Sequence, residues 1–273
     1  VNGWIDWNYA GQQVSAGSDL ILDAEFKNFW RLGFVFARDY QGLDEDWGVQ
    51  LLQPPAWAID LRLDTDNRKA VTLGLNPRFW RRDDGSSYER MLQLKVEIKL
   101  TDNTVFRLGP GYKHRFSFSQ WVDEVHTDGV PQYIFAELDS KTIDFTTRVY
   151  TSLSPDLSLV FFIQPFVAIG DYERFKTLVA PLTYRFSPYS SAPNPLKQNR
   201  DFYYRSLRSN LVLRWEYQPG STIFMVWSQS REAKNNRPVT DDLRLSPIDR
   251  LIQVFSDPGE NFFLVKANYW FGI

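Results

Sequence analysis

Over long stretches of this chain every second residue is apolar and the residues between are polar or charged. In 91–100, Leu92, Leu94, Val96, Ile98 and Leu100 alternate with Met91, Gln93, Lys95, Glu97 and Lys99. Residues 56–64 repeat the pattern, with Trp57, Ile59, Leu61 and Leu63 set against Asp60, Arg62 and Asp64. So do residues 18–26, where Leu20, Leu22, Ala24 and Phe26 oppose Asp19, Asp23 and Glu25. A period of two belongs to strands, and it gives each strand one greasy and one charged face. Helical periodicity is nearly absent, so the fold class is all-β.

About fourteen strands are expected, at 3–8, 15–26, 30–38, 55–64, 69–82, 88–100, 104–121, 131–138, 143–153, 157–169, 174–186, 206–217, 221–231 and 261–271. Asp139-Ser140-Lys141 and Gln218-Pro219-Gly220-Ser221 read as tight turns. The connections sort by parity. Those near 27–29, 65–68, 101–103, 139–142, 170–173 and 218–220 are short, whereas the alternate set, at 9–14, 39–54, 83–87, 122–130, 154–156, 187–205 and 232–260, runs from short to very long. Short turns at one end and long loops at the other are the pattern of an antiparallel transmembrane β-barrel, with both chain ends on the short-turn, periplasmic side. A soluble two-sheet sandwich also alternates, and stands as the alternative fold.

Composition fits either. Of 273 residues, 43% are hydrophobic and 16% aromatic, and mean hydropathy is −0.37. No run approaches the roughly 20 apolar residues of a membrane helix. With 31 basic against 33 acidic residues there is no electrostatic case for a nucleic-acid partner. The absence of cysteine removes disulfides, thiolate metal sites and a cysteine nucleophile. Val1 is not preceded by a signal peptide, which is read as removal or truncation.

In a barrel the charged face becomes a lumen. Its expected lining is Asp60, Arg62, Asp64, Glu89, Lys95, Glu97, Lys99, Arg107, Lys113, Arg115, Asp144, Arg148, Arg208, Arg214 and Glu216. Trp57, Trp80, Trp121, Trp215, Tyr217, Tyr269 and Trp270 fall towards strand ends and are expected in the interfacial girdle. Phe263-x-Val265-x-Ala267-x-Tyr269-x-Phe271 forms an amphipathic final strand, similar to the signal read by the barrel-assembly machinery, followed by Gly272-Ile273.

Catalytic chemistry is not indicated. Outer-membrane phospholipases place Ser two residues from His on one face, whereas Phe116 follows His114 at that spacing and Ser117 and Ser119 point the other way. Asp123, Glu124, His126 and Asp128 lack the glycine and terminal glutamate of a calcium loop, and Asp44-Glu45-Asp46 reads as surface charge. Tyr189, Tyr203 and Tyr204 would suit stacking on a sugar ring. No metal, no cofactor and no catalytic residue is expected.

The run Arg200-Asp201-Phe202-Tyr203-Tyr204-Arg205 through Trp215-Glu216-Tyr217 to Trp227, with Leu51-Leu52-Gln53-Pro54-Pro55-Ala56-Trp57 and the final Phe263–Phe271 segment, resembles a known family. It is similar to the C-terminal barrel region of bacterial outer-membrane proteins of undefined function that carry an N-terminal domain like a family-nine carbohydrate-binding module. The resemblance implies one barrel domain over 1–273, as the C-terminal portion of a longer precursor. The expected function is a non-enzymatic outer-membrane channel or transport-associated barrel linked to surface carbohydrate. The alternatives are an anchor for an upstream glycan-binding or glycan-processing part, and a soluble β-sandwich interaction domain. Expected partners are outer-membrane lipid and lipopolysaccharide, the assembly machinery, and carbohydrate or another envelope protein.

Overall fold

The computed structural model describes residues 1–127, 129–189, 200–235 and 247–271. Its strands are β1 (Asn2–Trp7), β2 (Gln13–Glu25), β3 (Arg31–Asp39), β4 (Gly42–Asp44), β5 (Leu51–Gln53), β6 (Ala56–Asp64), β7 (Val71–Arg82) and β8 (Tyr88–Thr101). They continue as β9 (Thr104–Thr127), β10 (Val130–Ser154), β11 (Leu157–Leu178), β12 (Phe186–Pro188), β13 (Phe202–Gln218), β14 (Ser221–Asn235) and β15 (Gly259–Asn268). The described helices are one of seven residues, Pro247–Gln253, and a 3-10 turn, Val254–Ser256. The fold is all-β and antiparallel.

One sheet dominates, in the order β1-β2-β3-β6-β7-β8-β9-β10-β11-β13-β14-β15, with β12 paired off β11. Each strand on this path pairs with its neighbour in the chain order of the sheet, so the architecture is an up-and-down meander. The β4–β5 hairpin is a separate small sheet. Among the described residues β1 and β15 each pair along one edge, and the sheet is not closed into a barrel.

Two of the expected turns are absent. The segments 131–138 and 143–153 are one strand of 25 residues, β10, and Asp139, Ser140 and Lys141 sit in its ladder opposite Phe116, Arg115 and His114. Likewise 157–169 joins the first part of 174–186 in β11, through Gly170 and Asp171. Polar residues at those positions resemble a turn, but their backbone groups are satisfied by the ladders on both sides.

This correction moves the 154–156 connection, expected among the alternate set, to the tight-turn end, while β9 and β10 meet closely at the opposite end with Val130 opposite Thr127. At one end the turns are tight: 102–103 between β8 and β9, 155–156 between β10 and β11, and 219–220 between β13 and β14. Gly220 takes φ +79°, which a two-residue hairpin turn demands, and its N–H donates to Glu216 Oε1 at 3.1 Å. The opposite end carries 40–55, 179–201 and 236–258 as connections. Both ends of the described chain lie at the tight-turn end.

The register divides the sheet into two faces. One apolar row runs Val71, Ile98, Phe106, Val149, Phe161, Leu211, Trp227 and Phe263, each directly opposite the next. Much of this face is bare: Leu22 is 54% exposed, Leu73 51% and Val265 68%. The sandwich alternative requires a second sheet over it, and the other sheet among the described residues is the small β4–β5 pair. Near the loop end of β11 and β13 the chain covers part of the face itself. There Leu251 packs on Val167, Ile169 and Tyr203, and Arg205 Nε donates to Asp257 at 2.8 Å.

Candidate functional site

Every residue expected to line a lumen lies on the face opposite that apolar row. The chain of pairs Glu97, Arg107 and Arg148 crosses β8, β9 and β10, and Asp60 and Lys113 join through Arg78 and Met91. Arg31, Asp64, Gly74 and Lys95 form another row, and Glu89 stands opposite Arg115. Asp144 is opposite Gly111, and Arg208, Arg214 and Glu216 continue the face along β13 opposite Ser230, Phe224 and Thr222. Lys99, two residues from Glu97, donates to the Asn67 carbonyl at 2.6 Å.

Charge on this face is partly neutralised across strands. Arg107 Nε lies 2.6 Å from Glu97, Arg62 reaches Asp23 at 3.0 Å and Asp64 at 3.5 Å, and Arg78 stands 3.5 Å from Asp60. The acids of β2 and β6 thus sit beside a basic region on β8 to β10. A cavity of about 470 Å³ opens there, bordered by Arg31, Asp64, Gln93, Lys95, Arg107 and Arg148. Among the described residues Lys95 and Arg148 form no ion pair, and the Arg148 guanidinium lies 5.2 Å from the Phe162 ring centre. Gly111 permits the close packing of this wall, since a Cβ there would strike the Asp144 and Gln93 side chains.

At the loop end the same molecule builds a true core. The 40–55 connection and the segment after β11 meet there, with the Leu182 N–H donating to the Gln50 carbonyl at 2.8 Å and Leu51 bridging Thr183. Val49, Leu51 and Phe135 are buried together, packed by Trp121, Tyr133, Tyr184 and Phe186. Beneath them lies Lys176, 8% exposed, with Nζ 3.0 Å from the Phe118 ring centre and 3.5 Å from Glu137. Glu137 also pairs with Arg174. Burial pushes the Lys176 ammonium down to about 8, against the pull of Glu137. Burial opposes the Glu137 carboxylate, but Arg174 and Lys176 outweigh it and hold it below its ordinary value.

The expected girdle divides. Trp57 shares the apolar face with Ile59 and Leu61 and lies 5.2 Å from Phe79, ring to ring. Trp215, opposite Ile223, is on that face too, with Tyr217 6.1 Å away. Tyr269 and Trp270 follow β15 directly, and the Trp270 N–H donates to Ser221 Oγ at 2.9 Å. Trp80 instead stands opposite Glu89 on the charged face. Trp121 stacks on Trp47 at 5.7 Å inside the loop-end core. For both, position near a strand end is visible in sequence but the facing partner is not.

His114 is on the apolar face, bonded to Asp139 at 2.8 Å, and among the described residues no serine hydrogen-bonds to it. His126 lies 3.5 Å from Glu124, while Asp123 pairs with Arg200. Among the described residues no three carboxylate or imidazole groups gather to hold a metal, and Asp128 lies outside those residues. No described helix is long and apolar enough to cross a membrane, which says nothing of strands.

A family model described as Domain of unknown function (DUF5916) matches residues 13–272. The chain belongs to that family. A comparison with curated proteins finds no match. Among solved structures, the DUF5916 chain is similar to the copper transporter OprC, with a TM-score of 0.47 and 13% identity over 93% of this chain and 39% of that one. The chain therefore spans well under half the length of OprC.

Proposed function

We propose that this DUF5916 chain is the strand-bearing part of a bacterial outer-membrane β-barrel, non-enzymatic and serving as a channel or transport-associated protein. The observation that carries this reading is the bare apolar face, continuous from β2 to β15, with ion pairs and a charged cavity behind it. Water-soluble monomers rarely expose contiguous apolar patches beyond a few hundred Å². Lipid removes that cost, and the reading requires the open edges of β1 and β15 to be paired, with each other or with strands of a longer precursor. The charged face then borders a wet lumen, and β15 supplies the strand offered to the assembly machinery.

A role in surface carbohydrate handling rests on the family resemblance, which assigns sugar binding to a domain preceding this segment. Binding of oligosaccharides to the full-length precursor, and its loss when that domain is deleted, is the expected result.

The test of the main reading is the purified chain in detergent. Unboiled protein should run anomalously on SDS gels and give discrete conductance steps in planar bilayers. A folded, heat-modifiable but silent protein would remove the channel and leave a transport-associated scaffold. Solubility without detergent and failure to insert would overturn the membrane reading.

A further inference from the structure

The apolar face carries an anomaly at its border with the loop end. Across β6 to β10 one row reads Ile59, Phe79, Arg90, His114 and Lys141, each opposite the next. In the row beyond it Trp57 is opposite Arg81, and Arg81 is opposite Tyr88. Arg81 and Arg90 are therefore diagonal neighbours on the same face, a spacing of about 7–8 Å that long side chains bridge easily. Immediately inward the face turns apolar again, with Leu92 opposite Tyr112 and Tyr112 opposite Ile143.

Other cations near this border have acids. Arg38 pairs with Asp83, and His114 with Asp139. On the charged face Arg62, Arg78 and Arg107 are each matched to a carboxylate. Arg81 and Arg90 are exposed and form no ion pair among the described residues. Arg90 instead lies 5.3 Å from the Tyr88 ring centre and 5.8 Å from that of Phe79, so the aromatic rings hold its guanidinium over the border. Two like charges on adjacent strands repel unless an anion lies between them. An anion from solution could reach any face of the protein, but this pair sits where the greasy surface ends, flanked by Trp57 and Tyr88. Amphipathic rings of that kind settle at headgroup depth.

We propose that Arg81 and Arg90 form a docking site for the phosphate of an outer-leaflet lipid headgroup, with His114 and Lys141 beside it. The guanidinium forks take phosphate oxygens in bidentate geometry. The acyl chains lie down the adjoining apolar strip past Leu92 and Tyr112. The site rests on the membrane reading and names one partner of that same surface.

The test uses the full chain in detergent, with lipid retention read by native mass spectrometry. The probes are lipid A bearing two phosphates and the same lipid after dephosphorylation. Wild type should retain the phosphorylated form about tenfold better, as charge-assisted bonds to phosphate require. The double variant Arg81→Gln, Arg90→Gln should lose that preference, and Lys95→Gln on the charged face should keep it. Should the double variant fail to fold, Arg90→Lys, which keeps the charge but not the fork, should retain an intermediate preference. A heat-modifiable, inserting protein that binds both lipids equally, or an R81Q/R90Q protein with wild-type preference, would overturn this site and leave the membrane reading standing. A protein soluble without detergent that retains neither lipid would overturn both.

Discussion

The loop end and the strand band of this molecule are stabilised in opposite ways. At the loop end, Phe135, Leu51 and Val49 are shut away from solvent among Trp121, Tyr133, Leu178, Tyr184 and Phe186, as in any water-soluble core. Along the band, Leu94, Leu73 and Val265 belong to strands just as regular, yet they look outward with nothing upon them. On the proposed membrane reading, one sheet answers to two solvents. Hydrogen-bonded ladders run unbroken through both regions, and what changes is where the apolar surface is sent. β9, β10 and β11, at 24, 25 and 22 residues, are long enough to serve both the band and the loop-end core; the proposed membrane crossing would take about 9–11 of them.

The strongest way to break this contrast is a pair of truncations. Phe135→Ala should cost about 3–5 kcal/mol of loop-end stability, because a fully buried ring leaves a cavity. Leu94→Ala on the band should leave that end intact in detergent. Limited proteolysis against denaturant reads both, and equal effects would erase the distinction.

A charge reversal of polarity sharpens it from the other side. Leu94→Arg places a cation on the bare face and should reduce folding into bilayers by about 2–4 kcal/mol. Gln93→Arg, one residue away on the charged face, should change it little. Urea titration of folding into vesicles measures the difference, and similar losses at both positions would mean that neither face meets lipid.

The buried lysine gives a pH signature confined to the loop end. In the folded protein Lys176 releases its proton near 8, and in the unfolded chain near the ordinary 10.5. Between those values the unfolded chain holds more protons, so loop-end stability should rise as pH climbs through that window and stay level at its lower value below about 8. Proteolytic protection at pH 7.5 and pH 10 is the measurement, and Lys176→Met should flatten the response. The smallest effect is expected at Arg31→Gln. Its 3.0 Å pair with Glu25 is half exposed and should be worth under about 0.5 kcal/mol in the same urea titration.

Much of the band was legible in the sequence, and little of the loop end was. Residues 91–100 declare both faces because apolar and charged side chains alternate at every step. The expected lumen residues consequently share one face without exception. At Asp139-Ser140-Lys141 the signal fails, because above the band both sides of a strand are polar and a strand reads like a turn. Trp121 and Lys176 were opaque for another reason. Their surroundings come from the 40–55 connection and from residues beyond Leu178, which no spacing along the chain brings together. Arg81 and Arg90 carry no motif of their own, and their meaning depends on the β7–β8 register.

The meander also permits a stepwise order of construction. Each new strand docks beside the one just laid down, so at the tight-turn end closure costs only the entropy of a loop of two to six residues, growing slowly with length. The contact of Leu51 with Thr183 is different in kind, since it joins segments separated by more than a hundred residues and by the strands between them. Such ties are entropically costly until the intervening ladder brings their ends near. Assembly can therefore advance hairpin by hairpin along the sheet, and the loop-end core is the knot drawn tight last.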